Sequence, residues 1–140
     1  MLCNCFGGGT FMSKLMHTPY RIGNIVISNR IVKSAMFEYC ANQGRITDQH
    51  RQIYEDAARG GCGLIITGME AISSTAGNGP GMIHTEYDGY LEDMRSIVSK
   101  VHRYSSRIFV QLQHAGPRTD WHGPCRVIGA FCRSGSADYK

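Results

Sequence analysis

Residues 107–116 read RIFVQLQHAG, and this stretch gives the clearest indication of the fold class. Its apolar run at residues 108–110 contains β-branched and aromatic side chains and lies between a pair of serines and Gly116, which predicts a short buried strand. Gln111 and His114 follow this run, where the predicted strand ends. Because ligands bind outside the carboxyl ends of strands in parallel α/β folds, both residues are candidate site residues.

The composition is that of a globular protein, and it argues against several classes of function. The chain has 140 residues, which is enough for a hydrophobic core. Hydrophobic residues make up 42% of it and charged residues 19%, a composition that is not typical of a disordered chain. The basic residues behind the net charge of +4 are scattered, so we predict no nucleic-acid partner. No apolar stretch approaches the roughly 18 residues of a transmembrane helix, so we predict no membrane partner.

The six cysteines occur without a Cys-x-x-Cys pair, so neither an iron–sulfur nor a zinc-ribbon spacing is present. His122, Cys125 and Cys132 could supply three zinc ligands, but a fourth ligand at suitable spacing is missing. Unpaired cysteines are the better interpretation, and we predict no metal site. Because unpaired cysteines are typical of reducing compartments, we expect a cytoplasmic protein.

The first half of the chain predicts a hairpin, a strand and a helix. Two β-prone runs flank a Gly-Asn pair between residues 20 and 27, which is typical of a β-hairpin. Residues 30–33 form a second apolar run, which we interpret as a strand. A helix is predicted to begin after Thr47 as N-cap and to end at the glycine pair 60–61.

The second half repeats this alternation of strand and helix. Residues 63–67 form a continuous apolar run, typical of a strand buried on both faces, and a loop rich in small residues follows at 68–81. Residues 85–88 resemble a capping box. They predict the start of a helix whose apolar residues recur at the helical period: Leu91, Met94, Ile97, Val98 and Val101.

Strands that alternate with helices at this spacing predict βα units and a parallel α/β sheet. The distinctive residues fall in three predicted loops at strand ends, at residues 34–39, 67–70 and 111–114. This layout is expected of a (β/α) barrel or a doubly wound sheet, and the absence of a Gly-x-Gly-x-x-Gly motif disfavours a dinucleotide-binding fold. We expect His50 and Glu55 on a solvated helix face.

Three segments resemble the old yellow enzyme family of NADH:flavin oxidoreductases. They read TPYRIGNIVISNRIVKSAM, GRITDQHRQIYEDAARGGCGLIITG and RIFVQLQHAG, and they occur in the family's order and at its spacing over about residues 15–118. The resemblance implies a (β/α)8 TIM barrel that holds FMN at the carboxyl ends of its strands, with the hairpin closing the bottom. The chain would supply the hairpin and about three βα units, the N-terminal part of an incomplete barrel.

The resemblance also implies cofactor-binding residues. Ser34, Ala35 and Met36 match the family's Ser-Pro-Met after the first strand, where backbone and side chains line the flavin, with Ala35 in place of the usual proline. Gly68 falls where the family has a small residue near the flavin. Gln111 matches a glutamine that bonds the pyrimidine edge of the isoalloxazine, a role that suits an amide because it both donates and accepts.

Tyr39 and His114 are the candidate catalytic residues, and only Tyr39 is assigned a contact with the substrate. Tyr39 aligns with a tyrosine that reaches the substrate carbonyl in one branch of the family, and His114 belongs to the motif of the third strand. Each has a simpler interpretation. Gln111 could satisfy loop backbone groups, Tyr39 could be a half-buried packing residue, and His114 could be a structural histidine bonded to nearby main chain.

The sequence divides into three parts. Residues 1–11 are interpreted as a loose leader, with Met12 as a possible start. Residues 12–118 are the N-terminal part of the flavin oxidoreductase barrel, and residues 119–140 are a tail that departs from the family, as a truncation or frameshift would. A closed barrel needs roughly 200 residues or more. We therefore expect the isolated chain to be marginally folded and to lack independent flavin-dependent turnover.

The function implied by the resemblance is FMN-dependent NAD(P)H oxidoreductase activity. NADH or NADPH would reduce FMN, and the reduced flavin would pass hydride to an activated alkene or similar electrophile. Flavin and a small-molecule electrophile would then be the partners. Two alternatives remain: a catalytically inactive truncated product, and a small module that binds a phosphate-bearing ligand through its glycine-rich loop and mild positive charge.

Overall fold

The computed structural model describes residues 14–116. Within this range the chain forms six strands, together with two helices that are each longer than eight residues. In chain order they are β1 (Tyr20–Ile22), β2 (Ile25–Ile27), β3 (Val32–Lys33), α1 (Asp48–Arg59), β4 (Leu64–Ala71), β5 (Ile83–His84), α2 (Tyr90–His102) and β6 (Arg107–Gln113). The predicted alternation of strand and helix is confirmed.

The first two strands form the predicted hairpin. They pair antiparallel, with Tyr20 opposite Ile27, and the turn between them uses Gly23 in the left-handed region at φ 57°. Glycine suits this position because it has no Cβ to clash in that conformation.

Strand β4 is the centre of a parallel sheet. Strand β6 pairs with it from Leu64 to Ala71 along one edge, while β3 pairs with the start and β5 with the end of β4 along the other edge. Within residues 14–116, no strand pairs with the outer edge of β6. The sheet is therefore open on that side.

Both helices pack on the same face of this sheet and form the main core with it. Ile65 of β4 is fully buried against Tyr54 and Ala58 of α1 and against Ile97 and Val101 of α2. The predicted helical period in α2 is confirmed for Met94, Ile97 and Val101, which are buried, but not for Leu91, which is 66% exposed.

Helix α1 begins where the sequence predicts, but His50 lies on its buried side. Thr47 is the N-cap, and its backbone N–H donates to His50 Nδ1 at 3.2 Å in a capping box. The expectation of a solvated face was wrong for His50, because the ring serves the cap and is covered by the core. Glu55 instead lies at the helix interface, where it accepts a hydrogen bond from Lys100 at 2.9 Å.

Three predicted boundaries were wrong. Strand β4 continues through Gly68 to Ala71 and β6 continues to Gln113, so residues 67–70 and 111–113 lie in strands, not in loops. Helix α2 begins at Tyr90 after Gly89, not after Thr85. The Thr85 backbone N–H bonds the carbonyl of Ala71 at 2.8 Å, so long-range pairing keeps this residue out of the helix.

No helix in the described range is long and apolar enough to cross a membrane. Several predictions fall outside the described residues. They are the leader at residues 1–11, the tail at residues 119–140, and the zinc ligands considered above, His122, Cys125 and Cys132.

Candidate functional site

The candidate site lies on the sheet face opposite the helices. Side chains alternate between faces along a strand, and Ile108 of β6 packs on the helix-side core, so Phe109, Gln111 and Gln113 point the other way. Met69 of β4 is the direct neighbour of Gln111 in the register. This open face carries the predicted site glutamine beside an apolar side chain.

A bulge in β4 fixes the position of Gln111. The register shifts between Ile66 and Met69, so β4 uses one residue more than β6 over this interval. The Gln111 backbone N–H donates at 3.0 Å to the hydroxyl of Thr67, which is buried and donates in turn to the carbonyl of Gly68. A side-chain hydroxyl thereby replaces the missing ladder carbonyl, and β6 stays in register.

The predicted cofactor-binding segment follows β3 directly. Ser34, Ala35 and Met36 are all exposed, and 66% of Met36 is accessible to solvent. A large apolar side chain that is exposed beside other exposed residues can form part of a binding surface, because a flat ligand could cover it. This segment is irregular, as the sequence predicts for residues 34–39.

Gly68 lies against this same segment. A Cβ at Gly68 would lie 2.5 Å from the carbonyl oxygen of Met36 and closer still to the carboxylate of Glu38. The absence of a side chain at Gly68 therefore lets the segment after β3 approach β4. Met69, and not Gly68, is the β4 residue in register with Gln111.

Glu38 forms an ion pair with Lys33 across the segment. Lys33 Nζ lies 3.1 Å from Glu38 Oε1, and the two side chains are only 14% and 7% exposed. The ammonium also lies 5.3 Å from the ring centre of Tyr54 and 3.5 Å from the carbonyl oxygen of Ser34. The ion pair is thus shielded from solvent and joins both ends of residues 33–38.

The Tyr54 hydroxyl links this group to helix α1. It accepts a 3.3 Å hydrogen bond from the Gly68 backbone N–H. Burial, reinforced by the nearby Glu38 carboxylate, raises the pKa of Tyr54 far above its usual value, so the phenol keeps its proton. A protonated hydroxyl can serve as donor toward Glu38 while it accepts from Gly68.

Tyr39 and His114 are both exposed, but they differ in their contacts. Tyr39 is 69% exposed, has φ 55°, and its ring lies 3.9 Å from that of Phe37. Its hydroxyl is available to a ligand. His114 is exposed, and its Nδ1 accepts a 2.9 Å hydrogen bond from the Gly116 backbone N–H. That bond is the local main-chain contact expected of a structural histidine.

Three further residues of the site, Lys33, Glu38 and Met69, are not predicted from the sequence. Lys33 and Glu38 are five positions apart, a spacing typical of neither a helix nor a strand face, and only the bend after β3 brings them together. Met69 lay in a segment predicted as a loop, so its register could not be read. Assigning the residues of β4 alternately to the two faces of the sheet would also have failed, because the bulge between Ile66 and Met69 interrupts the alternation.

The polar groups on this face can receive a flat heteroaromatic ligand. Among the described residues, neither the side-chain amide of Gln111 nor the hydroxyl of Ser34 has a hydrogen-bond partner. An amide that is free to donate and accept, beside the apolar Met69, fits the polar edge of a flat heteroaromatic ring. No group of three or more potential metal ligands occurs in the part of the chain that the structure covers.

A parallel sheet with both helices on one face and exposed polar side chains on the other defines an α/β protein built from βα units. Residues 15–124 match the NADH:flavin oxidoreductase / NADH oxidase family, and the chain belongs to that family. It is 37% identical over 101 residues to an NADH oxidase of Thermoanaerobacter brockii, with 71% of the chain covered. It is 29% identical over 115 residues to an NADPH dehydrogenase of Halalkalibacterium halodurans, with 81% covered.

The fold comparison agrees with the sequence comparison. The crystal structure of an old yellow enzyme from Pichia sp. AKU4542 superposes with a TM-score of 0.69 at 25% identity, and 76% of the chain is covered. The fold is therefore part of a TIM barrel, as the sequence predicts. The chain spans 16% of the NADH oxidase, 34% of the NADPH dehydrogenase and 28% of the Pichia enzyme chain.

Proposed function

We propose that this chain supplies the N-terminal part of an FMN site in an NAD(P)H oxidoreductase of the old yellow enzyme type. The bound flavin would take hydride from NADH or NADPH and deliver it to an activated alkene or a similar electrophile. The observation that carries the proposal is the free amide of Gln111, which the Thr67 bulge holds on the open face beside Met69. Family membership supports the same assignment.

Each proposed residue has a defined task at the flavin. Gln111 would bond the pyrimidine edge, since its amide has both a donor and an acceptor to offer. Ser34, Ala35 and Met36 would line the ring with backbone and side chain, and Gly68 would let this segment lie close to β4. Tyr39 would contact the substrate through its exposed hydroxyl, while His114 would support the turn after β6.

Binding of FMN to the 140-residue chain tests the proposal. Titration of FMN, followed by quenching of flavin fluorescence, should show saturable binding that Gln111→Ala weakens by about tenfold, the loss of roughly one hydrogen bond pair. Gln49→Ala is the matched control, because Gln49 is exposed on helix α1 on the opposite side of the sheet. Equal binding by both variants would reject the assignment of Gln111.

The same preparation separates the alternatives. Chain that binds FMN without NADH-driven bleaching of the flavin absorbance would match our expectation of no independent turnover. Failure to bind FMN would favour the catalytically inactive product. Binding of simple nucleotides without flavin would favour the phosphate-ligand module. A stoichiometric FMN that NADH reduces would instead show that this chain alone supports the first half of the reaction.

A further inference from the structure

We propose that the Lys33–Glu38 ion pair is a positioning device that preorganises the Ser34–Met36 segment for the flavin. The inference rests on the proposed function and adds two residues to it. Neither residue faces the open site directly. Their effect would pass through the backbone of the residues between them.

The Lys33–Glu38 pair closes a short loop. Lys33 is the last residue of β3, and Glu38 returns to it after four intervening residues. Lys33 Nζ contacts both Glu38 Oε1 at 3.1 Å and the carbonyl oxygen of Ser34 at 3.5 Å. One ammonium therefore holds the first carbonyl and the last side chain of the segment. Shielding from solvent strengthens such a contact relative to a surface pair.

The Lys33–Glu38 pair lies against three elements. Lys33 holds Glu38 from β3, the missing side chain of Gly68 leaves room for Glu38 on β4, and the Tyr54 ring of α1 lies against the Lys33 ammonium. A carboxylate held in this way cannot move without breaking contacts to the sheet and to a helix. The segment is thereby attached to the rigid part of the fold.

In the described range, the exposed part of the segment has no backbone restraint at Ala35. Among the described residues, the Ala35 backbone N–H makes no backbone hydrogen bond, and its φ is not in the left-handed region. Proline at this position would restrict the backbone covalently, and Ala35 does not. The ion pair supplies the restraint that the covalent ring would otherwise give. Order that exists before binding lowers the entropy lost on binding.

The test combines amide hydrogen exchange with FMN titration. Glu38→Gln keeps the shape of the side chain over Gly68 and removes its charge. We expect the Met36 and Phe37 amides to exchange about tenfold faster and FMN to bind about tenfold more weakly. Lys33→Met removes the other partner and should give the same pattern, which protects the test against a folding defect in one variant.

A rescue distinguishes positioning from a general loss of stability. Ala35→Pro added to Glu38→Gln should restore slow exchange at Met36 and Phe37 together with most of the FMN affinity. Glu55→Gln is the matched control, because it breaks a comparable ion pair, to Lys100 at 2.9 Å, between the two helices. It should leave exchange at Met36 and Phe37 unchanged.

The outcomes separate this inference from the proposed function. Unchanged exchange at Met36 and Phe37 in Glu38→Gln, or a uniform increase across the sheet, overturns the positioning role. Failure of the proline rescue does the same. If exchange follows the expected pattern but the unsubstituted chain binds no FMN, the ordering of the segment is supported and the proposed function is overturned.

Discussion

The hydroxyl of Tyr90 donates a 2.6 Å hydrogen bond to Oε2 of Glu70, and the other carboxyl oxygen of Glu70 is buried without a partner among the described residues. Burial raises the pKa of Glu70 above its ordinary value of 4.5, against the opposing hydrogen bond from Tyr90. A carboxyl that holds its proton while buried avoids the larger cost of a desolvated charge.

The stability of the chain should therefore carry a pH dependence that Glu70→Gln removes. The folded state retains a proton that the unfolded state loses above about pH 4.5, so this contribution to stability falls as the pH rises from there toward the raised pKa. The slope is at most about 1.4 kcal/mol per pH unit. Urea unfolding from pH 4.5 to 8 should show Glu70→Gln gaining stability relative to the unsubstituted chain as the pH rises.

Glu86 provides a control of opposite sign. Hydrogen bonds from Ser74, first through its side chain and then through its backbone, lower the pKa of Glu86. Its contribution is present above the unfolded pKa and is lost as the pH falls. Glu86→Gln should therefore lose stability relative to the unsubstituted chain only as the pH rises toward about 4.5, and its relative stability should change little between pH 4.5 and pH 8. A gain in stability for Glu86→Gln over that range equal to that of Glu70→Gln would refute the role of Glu70.

Gly68→Ala should destabilise the fold and displace the segment after β3. Its Cβ would lie 2.5 Å from the Met36 carbonyl oxygen, a backbone atom that no side-chain rotation can move away. Overpacking of this kind costs about 1–3 kcal/mol. Gly79→Ala is the control, because among the described residues the only atom within 4 Å of its added Cβ is a Phe37 ring carbon at 4.0 Å. Urea midpoints that agree for the two variants would contradict the packing described for Gly68.

His50→Gln should remove a second pH dependence. Burial lowers the pKa of His50 below its ordinary 6.5, so the folded ring stays neutral while the unfolded ring takes up a proton. Stability is then fully present above about pH 6.5 and falls as the pH drops toward the lowered pKa. A glutamine can still accept the Thr47 N–H but does not titrate.

The measurement is thermal unfolding at pH 8 and pH 5. The unsubstituted chain should lose stability between these values through His50, and His50→Gln should lose less. His102→Gln serves as the control, because His102 is exposed at the end of α2. If His102→Gln flattened the pH dependence as much as His50→Gln, the buried ring would not be its source.

Leu112→Lys should reduce self-association. Leu112 is 62% exposed on the helix side of β6, beside Val110 and Leu91, and β6 has no strand partner on its outer edge within residues 14–116. Apolar side chains along a free strand edge favour association, and a lysine there opposes it. Light scattering across a concentration series should show smaller species for Leu112→Lys. Val32→Lys, at a 43% exposed position of β3 on the opposite edge of the sheet, should not change the distribution if the edge of β6 is responsible.

The sequence predicts the alternation of elements well, because periodicity is a local property. The start of α1 follows from Thr47, and the core face of α2 follows from the spacing of Met94, Ile97 and Val101. Strand ends and the start of α2 depend on distant partners. The Thr85 backbone N–H donates a hydrogen bond to the carbonyl of Ala71, and the Gln111 backbone N–H donates one to the hydroxyl of Thr67. A local sequence pattern cannot predict contacts between residues so far apart in the chain.

The candidate site follows the same division. The resemblance to a family directs attention to Gln111 and to residues 34–36, which the structure places on the open face or beside it. It gives no information on the Lys33–Glu38 pair, which depends on how one bend of the backbone meets Gly68. The burial of His50 was not predicted, because the spacing of apolar residues in the helix does not show that a polar capping side chain lies on the buried side.

The central position of β4 has a consequence for the order of events during protein synthesis. Gln111 and Thr67, which bond across the sheet, are 44 positions apart, and β6 covers one whole edge of β4. While the ribosome has released β4 but not β6, Ile65 and its strand can pair on one edge only. Non-local parallel pairing is slow because distant segments must first meet. The nascent chain therefore exposes β4 until residue 113 has emerged, and that interval is when it needs protection from aggregation.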